Sequence, residues 1–127
     1  MKLKKITTNV TVPAIEPVLP FWQALGLSVT TSVPHGDVLG FAILAGEGVE
    51  VMYQTRDSVL ADAPDLADEG TKVMFFCEVD DVVAAAEAVS GYEVVVPMRE
   101  TFYGSREIFV RAPCGSLVGL AQFGEGA

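Results

Sequence analysis

Histidine and cysteine are nearly missing from this chain, with one of the first and two of the second in 127 residues. Two thiols make no disulfide framework. Cys77 lies in the apolar run VMFFCEV and reads as a buried thiol acting as a small hydrophobe. Cys114 lies in the turn Ala112-Pro113-Cys114-Gly115, whereas the lone His35 falls in another turn, so no base stands ready to make Cys114 a nucleophile. Basic residues are also scarce: eight Lys and Arg face seventeen Asp and Glu, for a net charge of −9. That balance excludes a nucleic-acid partner, which needs a surplus of cations against phosphate. It serves solubility and is compatible with a cationic ligand. No window holds the roughly 18 uninterrupted apolar residues of a membrane span. The basic start, Met1 to Ile6, is not followed by an apolar stretch, so it does not read as a signal peptide. The expectation is a cytoplasmic protein with no membrane association.

Half of the residues are hydrophobic, and the length suits one domain, 1–127, with a sizeable core. Within it a pattern occurs twice, about 68 residues apart. FAILAGEGVEVMYQ runs from Phe41 to Gln54, and FVRAPCGSLVGLAQ from Phe109 to Gln122. Each reads as a strand, a Gly-containing turn and a second strand ending in Gln, and each follows an extended segment, a short helix and another strand.

Ile6 to Val12 alternates with the strand period. Ile6, Thr8, Val10 and Val12 share a face that packs on helices, while Thr7, Asn9 and Thr11 share a polar one. A helix is predicted over Glu16 to Leu25, closed by Gly26 and shortened or kinked by Pro20. Ser28 to Val33 and Val38 to Ala45 read as a hairpin around Pro34-His35-Gly36-Asp37, and Val49 to Gln54 as the fourth strand. The acidic stretch 56–70 reads as a linker with a turn or two of helix over Ser58 to Leu66. In the second half Val73 to Val79 is a strand, Asp80 an N-cap and Val82 to Val89 a helix. Tyr92 to Pro97, Ser105 to Arg111 and Leu117 to Phe123 are strands. Tight turns inside each triplet require antiparallel neighbours, so the fold class is α+β. Its units are two tandem βαβββ modules, 5–55 and 71–124, joined by 56–70 into a cupped, mostly antiparallel sheet with helices on its outer face.

These features resemble the vicinal oxygen chelate superfamily of glyoxalase I, bleomycin-resistance proteins, fosfomycin-resistance enzymes and extradiol dioxygenases. The resemblance rests on Phe21-Trp22 before Leu25-Gly26-Leu27, on Val49-Glu50-Val51-Met52 and on Val79-Asp80-Asp81. It also rests on Tyr103-Gly104-Ser105-Arg106-Glu107 running into Phe109-Val110-Arg111-Ala112-Pro113-Cys114-Gly115, where Ala112 and Cys114 depart from the family's Asp-Pro-Asp-Gly. Enzymes of that superfamily hold a divalent metal with His, Glu or Gln on four inward strand positions. The resemblance puts those positions at about Thr7, Glu50, Met74 and Gly119. Only Glu50 is a good donor for a hard divalent ion, so the expectation is no metal and no cofactor.

Metal-free members of the superfamily bind a ligand in grooves between paired modules of a homodimer, and the resemblance implies the same here. Strand parity lines the inner face with Thr7, Asn9, Thr11, Glu50, Met52, Gln54, Met74, Phe76 and Glu78, partly apolar with a few polar groups. The candidate ligand-binding residues are Thr7, Asn9, Glu50, Met52, Met74, Phe76, Tyr103 and Arg106, for a small organic molecule that is cationic or aromatic. The functional reading is a metal-independent small-molecule binding protein, antibiotic sequestration being one version. A second reading is a lyase, isomerase or dioxygenase, metal-dependent or using Glu50 as general base. A third is an interaction module with an empty groove. Glu50 also has a purely structural alternative, as the partner of Arg106 or Arg111.

Overall fold

A computed structural model describes residues 7–62, 73–101 and 104–124. The chain divides into two compact units, the first ending at Thr71 and the second beginning at Lys72. The region 63–72, which holds much of the expected linker, and Tyr103 lie outside the described residues.

In the first unit, β1 (Thr8–Val12) leads to a 3-10 turn (Glu16–Val18) and α1 (Leu19–Ala24). β2 (Ser28–His35), β3 (Val38–Gly46), β4 (Val49–Thr55) and α2 (Arg56–Asp62) follow. The interrupted first helix has the expected cause. Pro17 and Pro20 each sit in the first turn of their own short element, where the missing amide costs nothing, so the chain makes two starts. Gly26, at φ +95°, closes α1 with its amide bonded to the Gln23 carbonyl at 3.0 Å. The β2–β3 turn is tighter than predicted, because Pro34 and His35 belong to β2 and Gly36-Asp37 alone make the bend. α2 starts directly after β4, two residues before the helix expected there.

The first sheet has the order β1-β4-β3-β2, with β1 parallel to β4 and the other pairs antiparallel. Its core joins Ile15, Val18, Phe21 and Trp22 with Val10, Val12, Leu44, Val51 and Tyr53 from the strands, all buried. The Trp22 indole N–H donates to the buried Tyr53 hydroxyl at 2.7 Å, tying α1 to β4, and the Phe21 ring meets Trp22 edge-on.

The second unit contains β5 (Met74–Glu78), α3 (Val82–Ala88), β6 (Val94–Glu100), β7 (Ser105–Arg111) and β8 (Leu117–Phe123). Its sheet repeats the plan as β5-β8-β7-β6, with β5 parallel to β8. Val82, Ala85 and Val89 are buried together with Ile108, Val110, Val118 and Leu120. The cap of α3 is Asp81 and not Asp80: the helix begins at Val82, and Asp81 has the extended backbone that lets its side chain accept the Ala84 amide at 3.1 Å. Gln122 accepts the Val82 amide at 2.9 Å and supplies a second cap from β8. The architecture is thus α+β in two modules, each built on a mixed four-stranded sheet.

Candidate functional site

Each sheet buries one face under its helices and leaves the other more open. On β4, Val51, Tyr53 and Thr55 are buried while Glu50, Met52 and Gln54 alternate with them on the open side. Asn9 stands opposite Met52 and Thr11 opposite Gln54, so β1 adds its polar row to the same face. The Thr7 hydroxyl donates to Glu50 Oε2 at 2.7 Å. The Asn9 amide donates to Gln54 Oε1 at 3.3 Å, and the Gln54 amide donates to Ser58 Oγ at 3.2 Å. Ile43, opposite Met52 on β3, gives this polar row an apolar centre. Thr7, Asn9, Glu50 and Met52 are therefore brought together on one face, as parity predicted. A cleft of about 320 Å³ opens where β1 ends, lined by Thr11, Val12, Pro13, Arg56 and Asp57.

The second sheet's corresponding face differs in chemistry. Met74 and Phe76 on edge strand β5 are 62% and 51% exposed, and Glu78 continues the exposed row. Across the sheet, Met74 faces Leu117 and Arg111, Phe76 faces Gly119 and Phe109, and Glu78 faces Ala121 and Glu107. The Phe109 ring lies over Gly119: a Cβ added there would stand 2.7 Å from Phe109 Cε2 and 2.9 Å from Cζ. Glycine is required at this rung because an aromatic ring occupies the space of its side chain.

Arg106 is not on that face. It pairs across the strands with Gln122, whose side chain reaches α3, and it borders a separate cleft of about 290 Å³ with Thr101, Ser105 and Gln122. The paired, fully buried carboxylate of this unit is Glu107, which the sequence reading passed over. Arg99 donates to its Oε1 from Nη2 at 2.7 Å and from Nε at 3.1 Å, and the Ser105 hydroxyl donates to Oε2 at 3.3 Å. The alternation of SREIFVR was the available signal, because it places Glu107 beside Ser105 and Phe109 on one face. Glu50, by contrast, has its printed partner in Thr7 and not in Arg111, which pairs with Glu93 at 3.3 Å.

The donor set does not suit a divalent metal. Leu117 stands opposite Met74 much as Glu50 stands beside Thr7, and Gly119, one rung further on, has Phe109 over it. Neither Leu nor Gly offers a donor, and a thioether is too soft for such an ion. Among the described residues no three His, Cys, Asp or Glu side chains are grouped to hold one. The two thiols are partly buried; burial pushes the Cys77 thiol up from its ordinary pKa, which suppresses the reactive thiolate. His35 is exposed at the end of β2. No helix among the described residues is long and apolar enough to cross a membrane.

Comparison with protein-family models and with curated proteins gives no match. Solved structures do match in fold. A glyoxalase/bleomycin resistance protein/dioxygenase from Nocardioides is 22% identical, with a TM-score of 0.72 over 100% of this chain and 89% of that one. TioX from Micromonospora sp. ML1 is 17% identical, with a TM-score of 0.76 over 94% of this chain and 98% of its own. Lactoylglutathione lyase from Agrobacterium tumefaciens is 15% identical, with a TM-score of 0.72 over 94% and 92%.

Proposed function

Because the chain has the fold of the glyoxalase, bleomycin-resistance and dioxygenase proteins of the vicinal oxygen chelate superfamily, we propose that it binds a small organic molecule without a metal. Sequestration of an antibiotic is the biological version of that reading. The observation that carries it is the contrast between a kept polar row and a lost donor set. Thr7, Asn9, Glu50 and Gln54 remain hydrogen-bonded around Met52, while the other sheet offers Met74, Leu117 and Gly119. A face of this kind, apolar at its centre with a few fixed polar groups, suits orientation of a ligand more than a reaction on it. Glu50 would accept from a cationic or donor-rich group, and Asn9 and Gln54 would fix its direction. The proposed working form is a homodimer, since each sheet ends in edge strands that pairing would cover.

The test is a thermal-shift and calorimetric screen of cationic glycopeptide and other aromatic antibiotics in the presence of chelator. Saturable binding that Glu50→Gln weakens is the expected result. Absence of any saturable ligand overturns the sequestration reading. Stoichiometric Ni, Fe, Mn or Zn in protein purified without chelator replaces it with a metal enzyme. Sedimentation velocity checks the dimer, and a monomer at all concentrations removes that part.

A further inference from the structure

The exposed row of β5 has features that specify what it would hold. Met74 and Phe76 are large, apolar and more than half exposed, and Phe109 lies beside Phe76 on the same rung because its ring is seated on Gly119. The charges on this face are unevenly satisfied. Arg99 is engaged with Glu107 and Arg111 with Glu93, while among the described residues no ion pair involves the exposed Glu78, two positions from Phe76. Aromatic faces attract cations, thioether sulfur packs well against rings, and a chain of net charge −9 draws cations towards it. A second copy of the chain would bring the same acidic surplus to this strip.

We propose that Met74, Phe76 and Glu78, with Phe109 laid over Gly119, form a docking strip for a flat aromatic cation, and that Gly119 is its specificity-determining residue. This rests on the small-molecule reading above and deepens it. The ring of the ligand lies against Phe76, its positive group reaches Glu78, and the seat of Phe109 on Gly119 sets the depth of the strip. A methyl group at position 119 would lift that ring and change the surface offered.

Fluorescence titration of the full chain with thioflavin T, a flat cation, and 8-anilinonaphthalene-1-sulfonate, an aromatic anion, tests this. Thioflavin T should saturate, and the anion should bind at least roughly tenfold more weakly. Phe76→Ala should cost roughly tenfold, and Glu78→Gln should weaken the cation several-fold and flatten its salt dependence. Gly119→Ala, with folding checked by circular dichroism, should change dye affinity; an unaltered titration would remove the role given to Gly119. Equal binding of both dyes, or indifference to Phe76→Ala and Glu78→Gln, overturns the strip. A dimer that Phe76→Ala dissociates, with no dye uptake, assigns the strip to a second copy and also overturns it. If an antibiotic binds through Glu50 while thioflavin T does not bind, this inference falls alone; if nothing binds in either experiment, the small-molecule reading falls with it.

Discussion

At the scale of single residues, the charged groups differ sharply in what they contribute. Glu107 is fully buried with Arg99 on it, whereas Arg111 and Glu93 form an exposed pair. Removing one partner of a buried pair leaves an uncompensated charge, while exposed pairs contribute little. Arg99→Gln should therefore cost about 3 kcal/mol, the lower end of the usual range because Arg99 is itself half-exposed. Arg111→Gln should cost under about 1 kcal/mol. Urea denaturation of the two variants compares them directly, and equal losses would contradict the burial argument. Glu16 supplies a pH dependence. Its carboxylate accepts the Leu39 amide at 2.8 Å, and this bond holds its pKa below the ordinary carboxylate value. A depressed folded-state pKa stabilises above the unfolded pKa and is lost as pH falls through the folded value. Thermal melts should show a steeper acid-side loss in the native chain than in Glu16→Gln, with the two curves parallel at neutral pH.

At the scale of elements, the helices are short and depend on the strands beneath them. α1 has six residues, too few to persist alone in water. It is held by burial of Phe21 and Trp22 and by the bond from Trp22 to Tyr53. Trp22→Phe keeps the ring and removes the donor, so it should cost about 1–3 kcal/mol through the buried phenol that loses its partner. Trp22→Phe combined with Tyr53→Phe should cost less than the sum of the two single changes. Chemical denaturation of the double-mutant cycle gives the answer, and additive losses would show that the bond contributes nothing. α3 is tied in a different way, through Asp81 at its own start and Gln122 from β8. The turns also separate the two modules: β3 and β4 are joined by Glu47-Gly48 alone, β7 and β8 by the five residues Ala112 to Ser116. A change of turn length moves strand parity. That is why Gln54, which bonds Asn9 on the open face, and Gln122, which caps α3, are alike in sequence and unlike in place.

At the scale of the whole molecule, a metal requirement and its absence predict opposite responses. A ligand that binds only the folded chain adds about 2.7 kcal/mol at a hundredfold excess over its dissociation constant. With Leu117 and Gly119 where donors would be needed, the melting temperature should not respond to chelator or to added Ni²⁺ or Zn²⁺. Differential scanning fluorimetry with and without each ion tests this, and a saturable rise with either would contradict the donor argument.

Much was legible in the sequence because it is local. Alternation assigns faces within a strand, so Thr7, Asn9, Glu50 and Met52 could be placed together, and Met74 with Phe76, before any coordinates. Composition and the duplicated pattern gave the α+β class and the two modules, and the poverty of His and carboxylates at the inward positions spoke against a metal. The Asp81 cap, the Arg99–Glu107 pair and the Phe109 ring over Gly119 were decided only in three dimensions. Each depends on register between strands or on where a helix starts, and register follows from turn lengths, bulges and contacts across the chain. Alternation within one segment carries none of that information.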